Sequence, residues 1–135
     1  AILAAMSMKI RLVSIHVDDQ AKALEFYTDV LGFEKKHDIP MGDARWLTLT
    51  APGESDEIEL VLEPNTNPAA KTYQAALFEQ GIPITAFESD DIEGDYERLV
   101  GKGVAFTQKV QEQGPVKLAV FADTCGNLVQ MYQTI

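Results

Sequence analysis

Glu59 is the residue best placed to do chemistry. It stands in the run Glu57-Ile58-Glu59-Leu60-Val61-Leu62-Glu63, in which one parity, Ile58, Leu60 and Leu62, is wholly apolar. Alternate residues of a strand face opposite sides. The apolar parity is therefore expected beneath helices, with Glu59 left on the open face. A carboxylate there can act as a general base or accept from a ligand hydroxyl or amine. The structural alternative is a carboxylate satisfied by Gln130 or by a backbone donor. His16 and Glu88 lie 72 positions apart, near the exits of two similar strands. A metal held between them is weaker than a reading in which both line the rim of a pocket. Trp46 and Tyr132 are the aromatic side chains expected to stack on a flat ligand, whereas Tyr27 and Tyr73 lie on helix faces and read as packing. His37 precedes a turn and is expected in solvent. Cys125 sits in a turn with no base assigned to it, and so reads as a structural thiol rather than a nucleophile.

The elements that must position these residues are legible from punctuation and period. Lys9 to Val17 reads as a strand. Asp18 and Asp19 cap a helix over Gln20 to Leu31, which Gly32 ends. Strands follow at Phe33–Ile39, Ala44–Thr50 and Glu57–Glu63, separated by Pro- and Gly-bearing turns. Residues 64–81 form a connector with a helix over Ala69–Gln80. The order then repeats: a strand at Pro83–Ser89, caps at Asp90 and Asp91, a helix carrying Ile92, Tyr96, Leu99 and Val100 and ended by Gly103. Strands at Val104–Val110, Val116–Phe121 and Leu128–Gln133 complete the chain. Asp18 and Asp90 are 72 apart, Gly32 and Gly103 are 71 apart, and Glu59 and Gln130 are 71 apart. The chain thus reads as an α+β fold of two βαβββ modules, at about 9–63 and 82–133, within one domain over 8–135. Residues 1–7 read as a leader or cloning remnant.

Composition excludes several classes. The 135 residues carry 21 acidic and 11 basic groups, a net charge of −10, which repels nucleic acid and anionic membrane surfaces. No apolar run is long enough to span a bilayer. A single cysteine excludes an internal disulfide and fits the reducing cytoplasm. There is no phosphate-cradling glycine loop, zinc-type cysteine cluster or nucleophile elbow.

The string Val17-Asp18-Asp19-Gln20-Ala21-Lys22-Ala23-Leu24-Glu25-Phe26-Tyr27, then Val30-Leu31-Gly32-Phe33, resembles the first module of the vicinal oxygen chelate superfamily. That superfamily includes glyoxalase I, bleomycin-resistance proteins and extradiol dioxygenases. Asp90-Asp91-Ile92, Gly103-Val104 and Phe121-Ala122-Asp123-Thr124-Cys125-Gly126-Asn127 resemble its second module. The resemblance implies sheets curled around a cavity that pairs of chains complete as homodimers. It also implies a divalent metal held from the first and last strand of each module. Those four positions fall on Leu12, Glu59, Ile84 and Gln130, and two of them cannot donate to a metal. The expectation is a metal-free, cofactor-free homodimer that binds a small organic molecule, with Glu59 the one candidate catalytic group. Its ligand-binding residues are expected to be His16, Glu59, Trp46, Glu88, Gln130 and Tyr132, and an acidic rim would favour a cationic or polar ligand. The alternative is a metal-dependent lyase or ring-cleaving dioxygenase of the same superfamily.

Overall fold

The computed structural model describes residues 6–53 and 58–135. Most of the 1–7 segment, and Glu57 of the expected third strand, lie outside them. The elements run β1 (Leu12–Val17), α1 (Gln20–Glu25), β2 (Glu34–Met41), β3 (Ala44–Thr50), β4 (Glu59–Pro64), α2 (Pro68–Glu79), β5 (Thr85–Glu88), α3 (Ile92–Gly101), β6 (Phe106–Gln113), β7 (Val116–Ala122) and β8 (Leu128–Thr134). The strands form two four-stranded sheets of the same order, β1-β4-β3-β2 and β5-β8-β7-β6. In each, the first strand pairs parallel to the last and the other pairs are antiparallel. The twofold βαβββ repeat is therefore real at the level of topology.

Local chemistry sets the boundaries. The Asp19 side chain accepts from the Lys22 amide at 3.0 Å, and that of Asp91 accepts from the Gly94 amide at 3.1 Å. Both are helix caps of the expected kind. Gly32 and Gly103 both take φ of +85°, a backbone that non-glycine residues rarely adopt, and each turns the chain out of a helix. The first helix does not keep a uniform pitch. After Glu25 it widens into a π-helical turn over Phe26–Val30, where the Leu31 amide reaches back to the Phe26 carbonyl at 3.1 Å. β1 starts three residues later than the sequence suggests, because its register against β4 opens with Leu12 opposite Glu59. β5 starts at Thr85 rather than Pro83, since a proline offers no amide to the ladder.

The helix-covered side of both sheets is apolar and buried. Ile15, Val17, Leu60 and Leu62 of the first sheet and Phe121, Val129 and Met131 of the second join Phe26, Tyr27, Ile92 and Leu99 in one core. This is the parity expected from Glu57–Glu63. Two members of that parity escape burial: Val13 and Ile58 are 45% and 53% exposed. Val13 sits near the start of β1 and Ile58 just before β4, and they line a cavity of about 280 Å³ with Leu49, Leu60, Thr85 and Phe87.

A buried polar hub joins the modules. The Asp123 carboxylate, fully buried, accepts from the Tyr27 hydroxyl at 2.7 Å, the Asn127 side-chain amide at 2.8 Å, and the backbone amides of Cys125 and Asn127 at 2.7 and 3.0 Å. Gln74 of α2 adds a second tier, donating to the carbonyls of His16 and Cys125 and to the Asn127 side chain. Gly126 is required beside it, since a Cβ there would stand 2.7 Å from the Gln74 side-chain nitrogen. Burial, reinforced by the Asp123 carboxylate, raises the Tyr27 phenol well above its usual pKa. The stability this contributes is complete below the unfolded phenol's value of about 10 and is lost as pH rises beyond it. Urea unfolding from pH 7 to 11 should show an alkaline decline that Tyr27→Phe reduces. Among the described residues no helix is long and apolar enough to cross a membrane.

Candidate functional site

The face of each sheet turned away from the helices is the candidate site. In the first sheet, register places Ser14, Val61, Thr48 and His37 in one row across four strands. Leu12 stands beside Glu59 at one end, and His16 beside Glu63 at the other. The corresponding row of the second sheet is Ala86, Gln130, Val120 and Gln108, with Glu88 opposite Tyr132 at its exit end. Val61, Thr48, Val120 and Leu118 are buried although they lie outside the helix-packed core, so the floors of both concave faces are closed.

These rows correct one equivalence. Spacing alone pairs Glu59 with Gln130, but the row containing Gln130 corresponds to that of Val61. The counterpart of Glu59 is Leu128, whose carbonyl accepts from Ile84 at 2.8 Å. A slip of two residues keeps every side chain on its face and is invisible to the alternation.

Glu59 lies on the concave face, and its side chain is only 16% exposed. Among the described residues it pairs with two basic side chains rather than with Gln130 or a backbone donor. Lys36 Nζ stands 3.6 Å from Oε2, and His37 Nε2 stands 3.7 Å from Oε1. Oε1 is shielded from solvent and, among the described residues, accepts no hydrogen bond. The approach of both basic residues was missed by sequence reasoning; the His37 side chain is 43% exposed to solvent, as expected, yet it also reaches Glu59. The cause is a bulge: register shifts between Lys35 and His37, so Lys36 is the extra residue. A bulge of this kind re-aims side chains relative to simple alternation.

The other candidates distribute as follows. Trp46 is half-buried, on the same parity of β3 as Thr48 and opposite Ile39 at the edge of the first sheet. His16 is half-buried, with Nδ1 3.4 Å from the Pro64 carbonyl. Its own carbonyl serves the Gln74 and Asn127 side chains. Gln130 and Tyr132 are half-buried on the second sheet, and Glu88 is exposed. The four positions at which the resemblance implies metal ligands do not fit a metal. Leu12 and Ile84 are hydrocarbon, Gln130 is a neutral amide, and Glu59 has only His37 near it as a possible second ligand. Among the described residues no three His, Cys, Asp or Glu side chains gather closely enough to hold an ion.

Cys125 belongs to the polar hub rather than to a site. Burial pushes its thiol up to about 12, so it stays protonated at physiological pH. At pH 8 the native protein should react slowly with iodoacetamide, and denaturant should restore the rate of an ordinary thiol. Fast labelling of native protein would contradict its burial.

The comparisons with known proteins agree with this geometry. Residues 9–131 match the family model of the Glyoxalase/Bleomycin resistance protein/Dioxygenase superfamily. An uncharacterized protein, YurT of Bacillus subtilis, is 55% identical over 126 residues, covering 93% of this chain and 99% of its own. Among solved structures, UcmS2 is 30% identical with a TM-score of 0.81, covering 94% of this chain and 98% of its own. TnmS3, described as an antibiotic-binding protein from Streptomyces sp. CB03234, is 27% identical with a TM-score of 0.77, covering 97% of this chain and all of its own. With sequence, topology and structural likeness in agreement over nearly its whole length, the chain belongs to the Glyoxalase/Bleomycin resistance protein/Dioxygenase superfamily.

Proposed function

We propose that this protein binds a small organic molecule on its concave faces, without a metal, in a cleft completed by a second copy of the chain. The observation that carries the proposal is Glu59: a carboxylate oxygen shielded from water and, among the described residues, lacking a hydrogen bond, on an open sheet face. A buried acceptor without a donor is costly, and a ligand hydroxyl or amine would relieve it. Apolar neighbours and a few polar groups on the same surface suit a small-molecule cleft. The antibiotic binding ascribed to TnmS3 lends the reading support. Two further features favour pairing of copies. Ile39 and Met41 are 51% and 60% exposed at the tip of the β2–β3 hairpin, and apolar surface of this kind commonly marks an interface. The chemically rich face of the first module would also gain Gln130 and Tyr132 from the partner's second module. The acidic charge disfavours nucleic acid as a partner, and a single buried thiol suits the cytoplasm.

Light scattering at micromolar concentration should give about 30 kDa, twice the 14.9 kDa chain. A 15 kDa species would remove the shared cleft from the account. A thermal-shift screen of organic ligands on metal-depleted protein should yield hits, since a ligand bound only to the folded state raises its stability. Stoichiometric zinc, nickel, iron or manganese retained through Glu59 would favour the metal-dependent lyase or dioxygenase reading instead.

A further inference from the structure

On the helix side of the sheets, away from the concave faces, α3 overhangs a cavity of about 320 Å³. Its floor is aromatic and drawn from both modules: Phe33, Phe87 and Phe121, with Met131 beside them. The rings of Phe33 and Phe87 stand 5.0 Å apart in an edge-to-face arrangement. The volume lies in the range of small-molecule sites, and an apolar floor with a few polar groups at the mouth is their usual make-up.

The mouth has a definite chemistry. Asp95 and Arg98 are three residues apart on α3, and Lys102, which caps the helix C-terminus, follows four residues later on the same side. Asp95 is already engaged, pairing with Arg98 and accepting from the Ser89 hydroxyl at 2.6 Å. Lys102 Nζ reaches across to the last carbonyls of the π-helical turn, 3.1 Å from Asp29 O and 3.4 Å from Val30 O. These contacts leave donors on both cations, since a guanidinium carries five N–H groups and an ammonium three. Glu88 and Asp95 match the two cations in number, but Asp95 is taken up by Arg98 and Ser89, so the remaining donors of Arg98 and Lys102 are the groups open to a ligand.

We infer that this cavity is a second small-molecule site, one that takes an aromatic monocarboxylate. The ring occupies the space over Phe33, Phe87 and Phe121, and the carboxylate accepts from Arg98 and Lys102. Glu88, exposed at the mouth, repels a second anionic group. The inference does not depend on the concave-face reading, because the cavity lies on the helix side of the sheets and has only Glu88, at a strand end, in common with it, and not Glu59.

Calorimetric titration of the full chain with 4-phenylbutyrate, paired with amide chemical-shift mapping, tests it. Saturable binding is expected, with the largest shifts at Val30–Phe33 and Arg98–Lys102. The alcohol 4-phenylbutan-1-ol should bind at least about tenfold more weakly, and the exposed-residue double variant Arg98→Gln/Lys102→Gln should lose a similar factor, because charge-assisted hydrogen bonds are at stake. Absence of saturable binding at millimolar concentration overturns the site. Shifts centred on Glu59 and Gln130 overturn it equally, and equal affinity for acid and alcohol overturns the assignment of a carboxylate.

Discussion

Asp123→Ala should cost about 3 kcal/mol or more of folding stability, the largest effect of any single polar substitution in the molecule. Four donors converge on this one buried carboxylate: the Tyr27 hydroxyl, the Asn127 side-chain amide and the backbone amides of Cys125 and Asn127. Alanine strands all of them, and a buried donor left without its acceptor costs about 1–3 kcal/mol. Asp123→Asn should fall between wild type and alanine. It keeps one acceptor oxygen for the backbone amides but turns an N–H toward Asn127 Nδ2, itself a donor. Urea unfolding checks the order wild type, Asn, Ala. Because Tyr27 belongs to the first module and Asp123 to the second, the same change should loosen the joint between modules. Hydrogen exchange in α1 and in the 123–127 loop should accelerate together. A stability loss below about 1 kcal/mol would mean that the hub is replaceable by water.

Glu59→Ala should act in the opposite sense, leaving stability within about 0.5 kcal/mol of wild type or raising it, while weakening ligand binding roughly tenfold or more. Its carboxylate contributes little to the fold: the Lys36 and His37 nitrogens beside it stand at 3.6 and 3.7 Å, beyond hydrogen-bond distance, and among the described residues one oxygen has no hydrogen bond. Leu62→Ala, three residues along the same strand, supplies the contrast. Leu62 is fully buried in the core under the helices, and its truncation should cost about 2–5 kcal/mol with little direct effect on the concave face. The pair measures the two sides of one strand. If Glu59→Ala unfolds the protein, or Leu62→Ala abolishes binding at unchanged stability, the sides have been assigned to the wrong tasks.

Much of the architecture could be read from residues because it rests on local rules. Aspartates at 19 and 91 cap helices, glycines at 32 and 103 turn the chain out of them, and a parity of Leu60 and Leu62 packs under helices. Each is decided within a few residues. What escaped was decided between strands. The bulge that adds Lys36 to β2 is a mismatch with β3, so no inspection of Glu34–Met41 alone shows that Lys36 and His37 approach Glu59. The correspondence of Glu59 with Leu128 rather than Gln130 depends on the register of β4 and β8 against their parallel partners. The hub around Asp123 was likewise hidden. The family-like string around Asp123 marks the loop, but its partners Tyr27 and Gln74 lie 96 and 49 positions away in the chain. The cavity under α3 needs both modules, and neither half of the sequence contains it.

The most direct test of the central claim is a crystal structure of the metal-depleted protein with an organic ligand identified by thermal shift. The account predicts a two-fold dimer with the ligand in the cleft, a ligand hydroxyl or amine on Glu59, Trp46 against the other end of the ligand, and Gln130 and Tyr132 of the partner subunit closing the far wall. A ligand bound only on the helix side of the sheets, or one held through a metal ion on Glu59, would contradict it.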